Sequence, residues 1–121
     1  MQKQVLIIED QLSTRKLLNH YLSNFYNVVE KENAQDAITW LRTGNKPDAI
    51  VTDILLPEMT GVEFLKEINS NSAEKTPVIM LTSVENSNEK MKCFQLGARD
   101  YIVKPFNPEE LRMRINNVIN N

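Results

Sequence analysis

The chain has 121 residues, 41% of them apolar and 25% charged, with a net charge of −2. That length suits one domain around one core, the composition is that of a folded protein rather than a disordered one, and the scattered basic residues form no broad face for direct nucleic-acid binding. A single cysteine, Cys93, excludes an internal disulfide; no signal peptide is seen, and no stretch approaches the roughly 20 apolar residues of a membrane span. The expectation is one soluble, cytoplasmic domain over 1–121, with its core at about 3–119 and no membrane association.

Short apolar runs alternate with segments of helical period. Val5 to Ile8 reads as a strand buried on both faces. Leu17, Leu18, Tyr21, Leu22 and Phe25 then recur at helical spacing, with Ser13 or Thr14 as candidate N-cap. Val28-Val29 is a weak second strand, and Ala34, Ala37, Ile38 and Leu41 form the next helix face, stopped by Gly44. Ala49 to Val51 is the third strand, Gly61 to Asn69 a short helix, and Val78 to Leu81 the fourth strand. Glu85 to Leu96 predicts a polar helix ended by Gly97, and Tyr101 to Val103 the fifth strand. The last helix has the clearest start: Asn107 as cap, Pro108 in the first helical position and Glu110 reaching back as in a capping box. Its buried face is Leu111, Ile115, Val118 and Ile119, and the asparagines 116, 117, 120 and 121 read as a fraying end. Five strand–helix units in succession predict an α/β fold with a parallel sheet covered by helices on both sides.

The polar residues that follow each apolar run carry the chemistry. The first strand ends in Glu9 and Asp10, the third in Asp53 and the fourth in Thr82, while the fifth leads to Lys104. Open parallel sheets bind ligands outside the carboxyl ends of their strands, so three carboxylates, a hydroxyl and an ammonium are expected at one edge. Clustered carboxylates call for a hard cation such as Mg²⁺, and a lysine beside a hydroxyl suits a phosphoryl group. Taken singly, each has a plainer reading: an acid after a strand as a helix cap, Thr82 as the cap of the following helix, Lys104 as a surface charge. Their coincidence at one edge favours a site. Asp48 precedes the third strand, on the opposite edge, and is read as structural. His20, Trp40 and Cys93 are assigned to surface or packing roles.

The sequence resembles the response-regulator receiver family, in its chemotaxis-regulator-like form, from about Lys3 to Ile119. The resemblance is carried by Val5-Leu6-Ile7-Ile8-Glu9-Asp10, by Asp53-Ile54-Leu55-Leu56-Pro57-Glu58-Met59-Thr60-Gly61 and by Pro77 to Thr82. It continues through Gly97-Ala98-Arg99-Asp100-Tyr101 and Lys104-Pro105-Phe106. It implies a flavodoxin-like (βα)₅ sandwich with strand order 2-1-3-4-5, and a signalling switch rather than an enzyme. On that resemblance Asp53 is the phosphoacceptor, and Asp10, Asp53 and the Leu55 backbone carbonyl bind Mg²⁺, with Glu9 assisting through a water. Thr82 and Lys104 hold the phosphoryl group, Tyr101 is an aromatic switch that turns inward with Thr82, and the Lys104–Pro105 bond is cis.

A histidine kinase or phosphotransfer protein would supply the phosphate, and the face built from the fourth helix, fifth strand and fifth helix would meet an output partner or a second copy. Two positions depart from the pattern: Glu9 replaces the commoner aspartate, and Arg99 stands where dimerising receivers often carry an acid. Three rival readings each lack a feature they need. An Mg²⁺-dependent aspartate-nucleophile phosphohydrolase would place a second acid where Leu55 stands. A flavin-binding module would have a Ser/Thr/Gly-rich loop in place of Glu9-Asp10-Gln11, and a degenerate docking receiver would lack the intact acidic set. Leu55 and Val84, two residues beyond Asp53 and Thr82, are expected to hinder attack of water on the phosphorylated Asp53 and so to lengthen its life.

Overall fold

A computed structural model describes residues 2–70 and 75–120. Five strands alternate with five helices: β1 (Gln4–Ile8), α1 (Leu12–Leu22), β2 (Asn27–Lys31), α2 (Ala34–Arg42), β3 (Ala49–Thr52), α3 (Gly61–Ser70), β4 (Val78–Thr82), α4 (Ser87–Gln95), β5 (Asp100–Val103) and α5 (Pro108–Ile119). The sheet is parallel throughout, in the order β2-β1-β3-β4-β5. This is the flavodoxin-like order that the family resemblance implies.

Strand alternation divides the core in two. Val5 and Ile7 of β1, Val51 of β3 and Ile79 and Leu81 of β4 face Leu18 and Leu22 of α1 and Leu111 and Ile115 of α5. Leu6, Ile8, Ile50 and Met80 face the other way, onto Ala37 and Ile38 of α2, Phe64 and Leu65 of α3 and Cys93 of α4. Both faces are covered, which is why these strands read as unbroken apolar runs instead of alternating ones. Phe64 is fully buried, and truncating such a side chain to alanine costs about 3–5 kcal/mol.

Several local expectations are corrected. Ser13 and Thr14 do not cap α1; Gln11 occupies that position, and its side chain makes no cap bond. Leu17 and Phe25 are exposed, because α1 ends at Leu22 and buries only the stripe through Leu18 and Leu22. Tyr26 is buried in place of Phe25, its hydroxyl donating to Asn116 Oδ1 at 2.6 Å. That bond ends on α5, which runs unbroken to Ile119, so Asn116 and Asn117 are not a fraying end; Asn121 lies outside the described residues. Val118 and Ile119 are only partly buried. The helix expected from Glu85 is shorter, starting at Ser87 because Asn86 caps it through Asn88 N and Glu89 N.

Asn107 does cap α5, receiving the Glu109 and Glu110 N–H groups, but Glu110 pairs with Arg114 instead of reaching back. The reciprocal capping box belongs to α3. There Thr60 Oγ1 accepts from Glu63 N at 3.1 Å and Glu63 Oε1 from Thr60 N at 3.0 Å.

Candidate functional site at the carboxyl edge of the sheet

β1 lies between β2 and β3, so the chain leaves it toward one side and returns on the other, opening a crevice between the ends of β1 and β3. Ile8 pairs with Thr52, Thr52 with Met80, and Thr82 with Val103. This register brings the residues just after four strands to one edge.

Glu9 and Asp53 are buried, at 2% and 6% exposure, and Lys104 spans them: its Nζ donates to Glu9 Oε1 at 2.5 Å and to Asp53 Oδ2 at 2.9 Å. Backbone amides take the other oxygens, Gln11 N donating to Glu9 Oε2 and Leu55 N to Asp53 Oδ1. Burial pushes the Glu9 carboxyl above its ordinary range, against the opposing pull of Lys104 and the Gln11 N–H; the nearby Asp53 charge adds to the rise. Burial lowers the Lys104 ammonium, but its bonds and charge attraction to Glu9 and Asp53 outweigh this and leave it more basic than usual. The lysine therefore stays charged. Its peptide bond to Pro105 is cis.

Thr82 is fully buried, and its Oγ1 accepts from Val84 N at 3.3 Å. The cap of α4 is Asn86, so Thr82 is not spent there. Tyr101 is also buried; its hydroxyl donates to Val84 O at 2.7 Å and Lys90 Nζ lies 5.8 Å from the ring centroid. Burial pushes the phenol up to about 12. The ring is turned inward, against Val84, in this structure.

Asp10 stands apart from the buried pair, with an exposed side chain, and Leu55 is 57% exposed. Among the described residues no three His, Cys, Asp or Glu side chains are gathered as a metal cluster. The donor set nonetheless fits a hard dication. Glu9 and Asp53 bring two buried carboxylates against the single ammonium of Lys104, Asp10 follows Glu9 in the chain, and Mg²⁺ typically takes one or two carboxylates and keeps several waters. Asp48 is at the other end of β3, accepting from Gln4 N at 2.7 Å.

Two contributors were not singled out in the sequence. Gly61 opens α3 directly against the Asp53 backbone: a Cβ there would lie 2.2 Å from Asp53 O. Only glycine permits that approach. Arg15 Nη1 donates to the Glu9 carbonyl at 2.8 Å and leans on the Asp10 carbonyl at 3.5 Å. No spacing rule in the sequence points to it.

The model of the response regulator receiver domain matches residues 5–116. A region of histidine kinase P4 of Formosa agariphila is 36% identical over 97% of this chain, which covers 8% of that protein. The transcriptional regulatory protein PhoP of Bacillus subtilis, named for alkaline phosphatase synthesis, is 32% identical over 98% of the chain and 49% of its own length. The chain thus spans about half, or less, of these curated relatives. Among solved structures, the chemotaxis response regulator CheY4 of Vibrio cholerae superposes with a TM-score of 0.89 at 32% identity, over 98% of this chain and 99% of that one. The receiver domain of the sensor histidine kinase PA1611 of Pseudomonas aeruginosa, described with a magnesium ion in its active-site cleft, gives 0.89 at 25% identity, with full coverage of both chains. Fold, crevice and sequence agree: this chain belongs to the response regulator receiver domain family.

Proposed function

We propose that the chain accepts a phosphoryl group on Asp53, from a histidine kinase or phosphotransfer protein, and passes the change to a partner through α4, β5 and α5. Receiver domains are signalling domains that interact with histidine kinases and effectors, and Mg²⁺ binding and phosphorylation are features of the family. The observation that carries the residue assignment is Lys104 bridging two buried carboxylates, those of Glu9 and Asp53, across the β1–β3 crevice.

An Asp53 carboxylate oxygen attacks the phosphorus of a phosphohistidine. The new O–P bond forms as the N–P bond breaks, and the departing imidazole nitrogen keeps the electron pair. Lys104 is already on Asp53, within reach of an oxygen of the incoming group, and its raised basicity keeps it cationic there. Thr82 accepts from Val84 N, which leaves its own proton for a phosphoryl oxygen. The Leu55 N–H fixes the Asp53 carboxylate at the strand end. Asp10, Asp53 and the Leu55 carbonyl would hold Mg²⁺, with Glu9 acting through a water. When bound, the ion offsets the charge on the phosphoryl oxygens.

Val84 couples this centre to the output face, since its N–H is held by Thr82 and its carbonyl by Tyr101. Met91 and Phe94 of α4 and Met113 of α5 are exposed apolar side chains that a partner, or a second copy, could cover. Incubation with acetyl phosphate and Mg²⁺ should add one phosphoryl group by intact mass, and the amide shifts from Glu85 to Asn117 should move with it. A fully modified Asp53 with those shifts unchanged would refute the output route.

A further inference from the structure

Past the end of the β1–β2 ladder, where Glu9 N still donates to Lys31 O, the chain turns through Asp10 into α1. The Glu9 side chain is fixed in that turn by Lys104 and by Gln11 N, whereas the Asp10 side chain is exposed. The place of the Asp10 carboxylate is therefore set through its backbone, and Arg15 holds that backbone from the first turns of α1. Its guanidinium, on a side chain only 11% exposed, reaches the Glu9 and Asp10 carbonyls through Nη1 and Glu30 Oε1 on β2 through Nε at 3.4 Å. Glu30 is a firm anchor, since Lys16 Nζ donates to it at 2.7 Å and Asn19 Nδ2 to its other oxygen. These bonds, that of Lys16 foremost, hold the Glu30 carboxyl below its ordinary range, so it keeps the charge that steadies Arg15. The same charge largely cancels that of Arg15, which would otherwise repel a cation beside Asp10.

We infer that Arg15 is a positioning residue for the metal: it ties the Glu9–Asp10 turn to β2 and so holds the Asp10 carboxylate facing the crevice. This rests on the reading of Asp10 and Asp53 as the metal ligands. A planar fork that serves a carbonyl and a carboxylate together is something arginine supplies and lysine does not. Groups that orient metal ligands commonly cost about 10–100-fold in affinity when removed.

The test is an Mg²⁺ titration of the unphosphorylated chain, followed by the amide shifts of Asp10, Gln11 and Leu55. Arg15→Ala should raise Kd about tenfold, at the lower end of that range. Arg15→Lys should recover part of the loss, and Arg42→Ala, whose ion pair with Glu67 lies at the Asp48 edge of the sheet, should leave Kd unchanged. Urea unfolding in EDTA reads any structural cost separately. A lowered midpoint with wild-type Kd in Arg15→Ala would overturn the proposal. So would a phosphorylation rate with acetyl phosphate that saturating Mg²⁺ does not restore in that variant. Should Arg15→Ala fail to fold, Arg15→Met keeps a long unbranched stem without the fork; weaker Mg²⁺ binding supports the proposal and wild-type binding overturns it. Absence of a saturable shift in the wild-type chain, or Asp10→Asn titrating like wild type, instead overturns the metal-ligand reading on which the proposal stands.

Discussion

Asp48 and Asp53 flank one strand, five positions apart, and meet opposite conditions. Asp48 precedes β3, where its carboxylate accepts from Gln4 N and its amide donates to Gln4 O, closing the start of the β1–β3 pair. Asp53 follows β3, where it is buried against Lys104 and beside Glu9. A hollow of about 800 Å³ lies at the Asp48 edge, bordered by Ile38, Leu41 and Ile68 and by the Arg42–Glu67 ion pair. Room alone therefore does not locate the candidate site. The charges of Asp48, Arg42 and Glu67 are already satisfied, whereas the carboxyl edge gathers more negative charge than Lys104 offsets, and that imbalance is what a bound cation would offset.

The contrast is sharpest for phosphorylation itself. Asp53→Asn should abolish the added phosphoryl mass, while Asp48→Ala should be labelled like wild type and lose about 1.5 kcal/mol of stability with its charged hydrogen bond. Equal labelling of Asp53→Asn would erase the distinction between the two ends. Next in size is the metal. Asp10→Asn should weaken Mg²⁺ binding more than Glu9→Gln, because Glu9 is already engaged by Lys104 and Gln11 N. The reverse order in a titration would exchange the direct and water-mediated roles.

A third effect concerns access to the same edge. Leu55 is 57% exposed and Val84 half-buried, and neither side chain can orient a water. The Leu55→Asn, Val84→Glu double variant should lose phosphate faster, and a change of about tenfold corresponds to about 1.4 kcal/mol in the barrier. Equal decay would show that these side chains give no protection. The smallest effect is at Tyr101. Removing its hydroxyl bond to Val84 O in Tyr101→Phe should cost about 1 kcal/mol in urea unfolding. The folded phenol is pushed from 10.0 to about 12, so its contribution is whole below pH 10 and is lost as pH rises toward 12. Tyr101→Phe should flatten that alkaline decline in stability, and Tyr26, whose phenol burial also raises, should leave a remnant.

The strands and the acids after them were legible because unbroken apolar runs ending in Glu9-Asp10, Asp53 and Thr82 leave little choice of where each strand stops. Helix detail was less so. Leu17 and Phe25 share helical spacing with Leu18 and Leu22, and only the end of α1 at Leu22 and the packing of α5 decide that Tyr26 is the buried aromatic. The capping box showed a similar ambiguity. Thr60-x-x-Glu63 and Asn107-x-x-Glu110 carry like signals, yet Glu110 is drawn off by Arg114.

The sequence by itself determined the α/β class, the strand ends and the residues delivered to the carboxyl edge, since these follow from local hydrophobic runs and their punctuation. The tertiary structure alone decided which of those groups touch. Lys104 lies 95 residues from Glu9 and 51 from Asp53, and its bridge exists because β1, β3, β4 and β5 pair in register. The same holds for Arg15 on the Glu9 carbonyl and for Gly61 against Asp53 O, which depend on how α1 and α3 leave the sheet edge. Contacts made across the fold leave no periodic trace in the chain, because side-chain spacing records only which face an element buries and not what arrives there from another element.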